Sequence, residues 1–550
     1  MSDKIKINHL VLFFALFFMN LVAYHNAFHN EFRYDLPAIY RGSEIPEFAN
    51  RVRFAFLIDG KDGPVLNPRL DWFRPITFLI SCELFRWVDG QLALINGVNI
   101  LIFTIVGFQF YIFLLFLSNR PILSAMAAVF FCLHPSNGLW VNYQPGGVQC
   151  LLLFSLMLAT LHTFLLFLRE RKNSIYVLSL VLFGMSLLCH EVAIFLPLTM
   201  ALSMMCLLPA ESRRGYKFLF GYILISVLYL WMRSIALGRG DVLVNRLGGL
   251  GVDPIVYIAT LVKVFFIAFG KMIFLQGIVL AWCEPFLNQF IGGWLLVGAG
   301  LVALFFYLVV NSNKGIIIWA IGLLFVGFIP VFAGGLLLPK QGLVFEGHWL
   351  FFSYMGYFVL IGWMIEFIYL RWRRSAAAVF ICLMVVWIAV GWNYNALYAD
   401  DVNYAKYYIK NAPGFREANV FLSRAYYKQK KYDEAQEALL KARIGDASDY
   451  SIYHSVAVFN LLTGKYDRAK EYFLTAVSLN PRNAPSYIFL GQIYERDGQW
   501  AKVIEVYTKA VELNPDLVIT RERLANAYKT IGKNEQAVNV LKPSDNLRAK

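Results

Sequence analysis

The first 396 residues of the chain are strongly apolar, whereas the remainder is polar. Apolar runs in the first part are separated by short polar connections, and most are long enough to cross a hydrocarbon core of about 30 Å as helices. The predicted spans are 8–24, 93–117, 121–134, 148–168, 175–190, 192–208, 218–237, 292–310, 315–338, 351–370 and 376–396. The pattern predicts a polytopic membrane domain over residues 1–396 with about eleven spans, of which 121–134 and 175–190 are short.

One apolar segment, 257–288, does not fit this series because it carries Lys263, Lys271 and Glu284. Each charged side chain costs about 2.5 to 3.5 kcal/mol at the centre of a bilayer on insertion scales. A single crossing here would also move the basic segment 371–374 to the other side of the membrane. We therefore expect 257–288 to form a re-entrant or interfacial hairpin.

Lysine and arginine residues between the spans indicate the orientation of the domain. From the N-terminus onward, every second connection is basic: Lys4 and Lys6; Arg120; Arg169, Arg171 and Lys172; Arg213, Arg214 and Lys217; Lys314; Arg371, Arg373 and Arg374. Short basic connections are retained in the cytoplasm. The N-terminus is therefore expected inside, as an uncleaved signal anchor, and an odd number of spans places residues 397–550 outside the cytoplasm.

The net charge of +14 and the seven cysteines change this picture little. Much of the positive charge lies in the cytoplasmic connections and the first outer loop, where anionic lipid head groups are a sufficient partner. We therefore expect membrane lipids, and no nucleic acid, as the counterpart of this charge. The cysteines show neither a disulfide framework nor the spacing of zinc ligands.

The polar part of the chain repeats one pattern of small residues at a spacing of 34. Two columns in register are Ser423, Ala457, Gly491 and Ala525, and Ala435, Ala469, Val503 and Ala537; glycines recur at Gly464, Gly498 and Gly532, and prolines at Pro481 and Pro515. This is the period and pattern of the tetratricopeptide repeat, in which two antiparallel helices cross closely at small residues. We predict about four repeats over 416–550, preceded by a linker and half-repeat helix over 397–415. The predicted fold class is all-α, a transmembrane bundle followed by an α-solenoid.

With this orientation, several polar residues fall at one membrane face: His25, His29, Asp35, Arg74, His134, Asn137, Asn142, His190, Glu191, Glu346 and His348. Ionisable residues that converge beside an apolar bundle are typical of a functional site. Taken singly, most of them would be ordinary solvated loop residues. Asp35 is the strongest candidate because it follows the first span closely in "NEFRYDLPAIYRG", where Phe32 and Tyr34 can anchor the backbone.

The order of several motifs resembles the GT-C glycosyltransferases, specifically the transmembrane-and-tetratricopeptide proteins related to protein O-mannosyltransferases, over essentially the whole chain. The segments that carry the resemblance are "FRYDLPAIYRG", "WFRPITFLIS", Asn99 in "INGVNILIF", "LHPSNGLWVNY", "LLCHEVAIFLP" and "FEGHWLFFSYMG". They are similar, in this order, to the family's early acidic motif, its Arg-Pro-Leu segment, its asparagine before a span, and its His-Pro, Lys-Glu and Glu-Arg motifs.

The resemblance implies transfer of a sugar from a polyprenyl-phosphate donor to Ser or Thr hydroxyls of an extracytoplasmic protein. Asp35 would be the catalytic general base that takes the hydroxyl proton, because a neutral hydroxyl is a weak nucleophile. Arg74 would balance the leaving phosphate, with nearby histidines assisting if protonated. The repeat groove would hold the acceptor polypeptide. The candidates for substrate binding are Arg74, His134, His190, Glu191, Glu346 and His348.

The sequence departs from the family pattern at Leu36, Asn96, Leu139, Gly147, His190 and Gly347. Leu36 stands where the second acid of a pair is expected, and a lone carboxylate is a poor site for a hard cation. We therefore expect no metal site, and no cofactor besides the lipid-phosphate-linked sugar. Three alternatives stay open: metal-independent catalysis, a branch with its own donor, or lost activity.

Two other functions also stay open. A non-catalytic membrane scaffold would use its repeats to recruit partners, and the substituted positions favour it. A transferase that acts on a surface polysaccharide or lipid would keep the same donor chemistry. Few repeats and short loops favour a bacterial inner membrane with the repeats in the periplasm, and the endoplasmic reticulum is the alternative location.

Overall fold

The computed structural model describes residues 8–30, 74–89, 91–142, 146–208, 215–236, 253–279, 281–311, 315–335, 342–443, 449–515 and 517–541. The chain divides into two compact units, Met1–Gly414 and Phe415–Lys550. Over the described residues, regular structure is helical apart from one two-stranded sheet in the first unit. Apart from this small sheet, the prediction of an all-α architecture is confirmed for the described residues.

The helices of the first unit are α1 (His9–Ala23), α2 (Pro75–Trp87), α3 (Leu92–Ser118), α4 (Pro121–Leu133), α5 (Gly138–Asn142), α6 (Gly146–Glu170), α7 (Asn173–Cys189), α8 (Leu196–Leu207), α9 (Leu219–Ala236), α10 (Pro254–Phe274), α11 (Ile291–Asn311), α12 (Gly315–Val326), α13 (Ile329–Gly335), α14 (Phe351–Arg371), α15 (Arg373–Leu397) and α16 (Asp401–Asn411). Strands β1 (Ala281–Glu284) and β2 (Leu343–Glu346) pair antiparallel. Proline begins α2, α4 and α10, because the first N–H of a helix has no partner within that helix.

Long helices of the first unit run between two ends of the bundle. At one end Asn30, Asn142 and Asn395 lie together, and we call it the asparagine end. At the other, Arg120 at the start of α4 pairs with Glu366 of α14, and we call it the basic end. Contacts that fix which helix ends meet are Tyr24 Oη to Cys132 O, Arg169 to Phe116 O, Tyr176 Oη to Phe218 O, and Arg233 to Glu191.

Buried amides hold the asparagine end together. Asn30 Nδ2 donates to Asn142 Oδ1 (2.6 Å), and Asn142 Nδ2 donates to Asn395 Oδ1 (2.7 Å). Asn395 in turn donates to the carbonyl of Ala23 (3.2 Å), so the network joins α1, α5 and α15. Buried polar groups are stable only when they are hydrogen-bonded. The candidate residue Asn142 therefore has a structural role.

By length and hydropathy, seven described helices could cross a membrane: Leu92–Ser118, Gly147–Glu170, Gly215–Ile235, Pro254–Phe274, Gly315–Phe332, Gly347–Arg371 and Arg373–Leu397. An eighth is formed if Pro121–Leu133 and the bent segment Pro135–Asn142 count as one span. Four shorter apolar helices correspond to other predicted spans: His9–Ala23, Asn173–Cys189, Glu191–Leu207 and Ile291–Tyr307. The described residues thus contain seven or eight candidate membrane helices, fewer than the eleven spans predicted.

The segment predicted as a hairpin contains one continuous helix, α10, followed by β1, so the prediction of a hairpin was wrong. Near the start of α10, Tyr257 donates to the carbonyl of Phe332 (2.7 Å). Near its end, the Met272 carbonyl lies 2.9 Å from His134 Nε2. Both contacts lie towards the asparagine end of the bundle. These two contacts favour a position of α10 at the membrane interface. The length of α10 alone would also permit a crossing.

The second unit consists of paired helices: α17 (Arg416–Lys428) with α18 (Tyr432–Lys441), α19 (Tyr450–Leu462) with α20 (Tyr466–Leu479), α21 (Ala484–Arg496) with α22 (Trp500–Leu513), and α23 (Val518–Thr530) with α24 (Asn534–Leu541). Gly464, Gly498 and Gly532, at the turns within pairs, have φ of 73°, 68° and 78°. Glycine adopts this left-handed conformation without strain. At the crossing of α21 and α22, a Cβ on Gly491 would lie 2.1 Å from the ring of Tyr507. The small-residue columns therefore mark close helix crossings, as predicted.

The segment predicted to be a linker and half-repeat helix contains one helix, α16, which belongs to the first unit. The N–H of Ala281 in β1 donates to Tyr408 Oη of α16 (3.0 Å). Tyr404 of α16 stacks on Tyr398 at the end of α15, with ring centroids 4.8 Å apart. A cut between the two units therefore belongs after Gly414 rather than before α16.

Candidate functional site

An ion pair between Arg74 and Glu191 is the centre of the candidate site. Arg74 Nε lies 3.0 Å from Glu191 Oε2, and Arg74 Nη2 lies 2.9 Å from Oε1. Two parallel charge-assisted bonds match the planar guanidinium to the planar carboxylate and are stronger than neutral hydrogen bonds. Arg74 directly precedes the Pro75 that begins α2, and Glu191 begins a short 3-10 helix after α7. The site therefore forms where two helix ends meet.

Arg233 of α9 approaches the same carboxylate, with Nη1 3.9 Å from Glu191 Oε2. The side chains of Arg74, Glu191 and Arg233 are 21%, 29% and 23% exposed, so a ligand from solvent can reach them. Burial alone would lower the pKa of the Arg74 guanidinium, but the Glu191 carboxylate outweighs burial and raises this pKa. Arg74 is therefore positively charged at any physiological pH.

Two histidines form a hydrogen-bonded pair beside this ion pair, with His190 Nε2 2.8 Å from His348 Nε2. His190 Nδ1 accepts from the Val192 N–H (3.2 Å), so the His190 proton is on Nε2. His348 Nδ1 lies 3.2 Å from Glu346 Oε2, so the His348 proton is on Nδ1 and its Nε2 accepts. These neighbours assign a chain from His190 through His348 to Glu346 in which both imidazoles are neutral.

The small sheet positions Glu346 and His348. Trp282 of β1 stacks on Phe345 of β2 with ring centroids 5.0 Å apart, which holds the end of β2 in place. Glu346 is the last residue of β2, and a 3-10 helix, Gly347–Leu350, follows it and leads into α14. The His190 and His348 side chains are only 4% and 8% exposed, whereas Glu346 is 36% exposed. The two histidines are thus enclosed, whereas the Glu346 carboxylate faces solvent.

Five predicted site residues are brought together in this cluster: Arg74, His190, Glu191, Glu346 and His348. The predicted catalytic base, Asp35, lies outside the described residues. The five come from three distant parts of the chain, so the fold produces a convergence that no single motif contains.

The predicted site residue His134 makes its hydrogen bonds with backbone groups. Its Nε2 lies 2.9 Å from the Met272 carbonyl, and its Nδ1 accepts from the Ser136 N–H (3.3 Å). Its buried ring packs against Trp387 with centroids 4.7 Å apart. Both ring nitrogens are thus used by backbone groups, and His134 joins α4 to α10. Asn137 similarly donates to a backbone carbonyl at 2.6 Å.

Arg233 was missed by the sequence reasoning, although it lies inside the predicted span 218–237. Charged residues within apolar spans usually face a partner or a functional site. The position of Arg233 inside an apolar span could therefore have indicated a place in the site. Tyr229, four residues earlier on α9, also interacts electrostatically with Glu191. Both side chains belong to the same face of α9, because residues four apart lie one above the other on a helix.

One departure from the family pattern has a steric explanation. A Cβ at Gly147 would lie 2.1 Å from the carbonyl oxygen of Trp140 and 2.9 Å from Asn99 Nδ2. The local fold therefore leaves no room for the arginine that the pattern has there. In the part of the chain that the structure describes, no group of three His, Cys, Asp or Glu side chains could hold a metal ion.

An open apolar cleft of about 540 Å³ runs along α2, directly after Arg74. Residues on its wall are Ile76, Leu79, Ile80, Glu83, Leu84 and Trp87. They recur at intervals of three or four residues and so form one face of the helix. The wall that the structure describes is thus one face of α2, and it begins two residues after Arg74.

Comparisons with known proteins find the tetratricopeptide repeat, whose models match residues 417–442, 450–483 and 484–517. Anaphase-promoting complex subunit 3 of Schizosaccharomyces pombe is 23% identical over 126 residues, which is 23% of this chain and 19% of that protein. BBSome complex member BBS4 of Bos taurus is 29% identical over 116 residues, 21% of this chain and 22% of that protein.

A third relative, protein O-mannosyl-transferase TMTC1 of Homo sapiens, is 29% identical over 125 residues of the repeat region, 21% of this chain and 14% of that protein. The chain thus spans about a fifth of the length of the curated relatives it matches. The crystal structure of MamA is 25% identical and covers 26% of this chain and 82% of its own, with a TM-score of 0.24. The repeat models show a protein with tetratricopeptide repeats, and its described residues also contain candidate membrane helices.

Proposed function

We propose that this protein is a membrane glycosyltransferase of the GT-C type that moves a sugar from a polyprenyl-phosphate-linked donor to Ser or Thr hydroxyls of an extracytoplasmic protein. The observation that carries the proposal is the cluster of Arg74, Arg233, Glu191 and two histidines at one end of an apolar helix bundle. Such a cluster suits a ligand with an anionic head and an apolar tail. The repeat similarity to a protein O-mannosyl-transferase supports the same function.

The arginines are the groups that would bind the donor phosphate. When the glycosidic bond to the phosphate breaks, the leaving group gains one negative charge. Arg74 and Arg233 would stabilise that charge, since fixed cations aimed at developing charge lower the barrier of a transfer reaction. Glu191 lies between the two guanidiniums.

The cleft on α2 would hold the prenyl chain. It begins beside Arg74, and its wall is apolar except for Glu83. An apolar chain in this cleft would leave its phosphate at the arginines.

Asp35 would take the proton of the acceptor hydroxyl while the oxygen attacks the anomeric carbon. This role rests on its position shortly after the first span and on the resemblance, because Asp35 lies outside the described residues. Of the remaining candidates, His190, Glu191, Glu346 and His348 would belong to the donor site.

The topology that we propose has eleven crossings, with α10 at the interface and the repeats outside the cytoplasm. Basic residues such as Arg120, Arg169 and Arg371 lie on connections at or near the basic end, as expected of a cytoplasmic face. A bacterial inner membrane with periplasmic repeats remains the proposed location. The repeats would hold the acceptor polypeptide near the membrane and so raise its local concentration.

A scaffold without catalytic activity is the second candidate function. It is favoured by two of the matched relatives, which are by name members of multiprotein complexes. In that case the repeats would recruit partners, and the arginine cluster would bind lipid head groups only.

The transfer reaction can be tested in cells that lack the gene and are complemented with wild type, Asp35→Asn or Arg74→Gln. Mass spectrometry of extracytoplasmic proteins should find sugar-modified Ser or Thr peptides only with wild type, because Asp35→Asn keeps size but removes basicity. Identical modification in cells with Asp35→Asn would refute the general-base assignment. Identical modification in cells without the gene would refute the transferase and favour the scaffold.

A further inference from the structure

The small sheet that carries Glu346 is hydrogen-bonded to α16. Ala281 begins β1 and lies opposite Glu346 in the register of the two strands. The N–H of Ala281 donates to Tyr408 Oη of α16 (3.0 Å). Both Ala281 and Tyr408 are buried, so this bond lies in the interior of the first unit. The phenol of Tyr408 thus fixes the strand residue that faces Glu346.

The packing of α16 fixes the place of this phenol. The ring of Tyr408 packs on the ring of Tyr404, one turn earlier, with centroids 5.8 Å apart. Tyr404 stacks in turn on Tyr398 at the end of α15. All three rings are buried, and aromatic pairs at such distances contribute to stability beyond their buried area. The hydroxyl of Tyr408 is therefore a fixed acceptor for the backbone of β1.

The two strands connect this contact to a histidine of the candidate site. Trp282, which follows Ala281, stacks on Phe345 of β2 with ring centroids 5.0 Å apart. Glu346 ends β2, and His348 lies in the 3-10 helix that follows it directly. A displacement of β1 would therefore move β2 and, with it, the imidazole of His348.

His348 contacts the segment that bears the partner of Arg74. Its Nε2 lies 2.8 Å from His190 Nε2, and Glu191 follows His190 in the chain. The Glu191 carboxylate makes the two bonds with the Arg74 guanidinium. A continuous series of contacts thus leads from α16 through the sheet to Arg74.

We propose that Tyr408 is a positioning residue for the donor-phosphate site and acts through β1 and β2 on His348. This inference rests on the proposed function and deepens it, because it assigns α16, the helix before the repeats, to the donor site. A buried N–H that loses its acceptor is costly. Without the Tyr408 hydroxyl, β1 would shift towards another acceptor, and the support of His348 would change.

Isothermal titration of the full-length protein in detergent with farnesyl phosphate measures the effect of Tyr408→Phe, which keeps the ring and removes Oη. We expect affinity to fall about two- to tenfold, the range that corresponds to one hydrogen bond. Hydrogen exchange of the peptide that contains Ala281 should become faster.

Tyr176→Phe is the matched control, because it also removes a hydroxyl bond to the backbone, at the carbonyl of Phe218 (2.7 Å). Tyr176 lies in the first turn of α7, whereas His190 follows the last turn of this helix. The control should leave affinity for farnesyl phosphate unchanged.

A double-mutant cycle distinguishes positioning from general support of the fold. In His348→Gln the connection between the sheet and His190 is already interrupted. Adding Tyr408→Phe to this variant should therefore cause little further loss of affinity. A residue that only stabilised the fold would weaken binding by the same factor in both backgrounds, since independent effects add.

The outcomes separate failure of this inference from failure of the proposed function. Unchanged affinity in Tyr408→Phe, or an equal loss with and without His348→Gln, overturns the positioning role and leaves the donor site intact. No binding of farnesyl phosphate by wild type overturns the proposed donor site, and the inference with it. If Tyr408→Phe does not fold, as judged by thermal unfolding, Phe345→Leu decides the question. It weakens the contact between β1 and β2, and unchanged affinity in this variant would likewise overturn the inference.

Discussion

Removing the two partners of the Arg74–Glu191 ion pair should change phosphate affinity in opposite directions. Glu191→Gln keeps the size of the side chain but removes a negative charge from between two guanidiniums. Arg74→Gln removes the cation that makes the two-bond contact with the carboxylate. If the pair only stabilised the fold, both substitutions would weaken binding.

The magnitude follows from the distances at the site. A phosphate on Arg74 would lie about 6 Å from the Glu191 carboxylate, a separation at which two unit charges repel by about 3 kcal/mol at an effective dielectric constant of about 20. The Arg74 and Glu191 side chains are 21% and 29% exposed. Solvent screening therefore reduces the repulsion between the phosphate and Glu191 to about 1 kcal/mol, or about fivefold in affinity. Glu191→Gln should therefore bind about fivefold more tightly. Arg74→Gln should lose about 1.5 to 3 kcal/mol, or about 10- to 150-fold, with its charge-assisted hydrogen bonds.

Titration of both variants with farnesyl phosphate at one pH measures these changes, and thermal unfolding records stability in parallel. Asp433→Asn is a matched control, because Asp433 makes an ion pair of its own with Lys465, at 2.5 Å, in the second unit. It should leave affinity unchanged. Weaker binding by Glu191→Gln, at unchanged stability, would contradict the electrostatic account of the site.

Three further predictions concern the architecture. A cut after Gly414 should retain farnesyl phosphate binding but lower transfer to the natural acceptor, and transfer at the full-length rate by the truncated protein would show that the repeats serve another partner. Gly491→Ala should destabilise the repeats by about 1 to 3 kcal/mol, because its Cβ would meet the Tyr507 ring at 2.1 Å; unchanged hydrogen exchange in α21 and α22 would disprove this crowding. Reporter fusions at Asn173 and after Lys550 should give opposite signals, and a cytoplasmic signal from Lys550 would overturn the topology.

The repeats were predictable from sequence because their packing is local and periodic. A small residue such as Gly491 is needed wherever two helices cross closely, so the requirement recurs at each repeat. The apolar helices of the first part were equally direct to predict, since the length of an apolar run can be read within a single segment. The prediction of a hairpin at 257–288 failed because β1 pairs with β2, which lies about 60 residues later, and no local pattern contains that pairing.

The composition of the cluster was predictable only in part. Arg74, His190 and Glu191 stood out as ionisable residues beside apolar runs, but the bond between Arg74 and Glu191 joins positions 117 residues apart. His134 stood out for the same reason, yet its ring nitrogens contact the backbone N–H of Ser136 and the backbone carbonyl of Met272. A sequence shows which residues are costly in a membrane, and the fold decides whether that cost is offset by a ligand or by a carbonyl.

A cryo-electron microscopy structure of the full-length protein in lipid nanodiscs with farnesyl phosphate tests the central claim most directly. We predict a phosphate within hydrogen-bonding distance of Arg74, with the prenyl chain along the α2 cleft. A phosphate bound elsewhere on the bundle, or an empty cluster at saturating ligand, would contradict the assignment of this end of the bundle as the donor site.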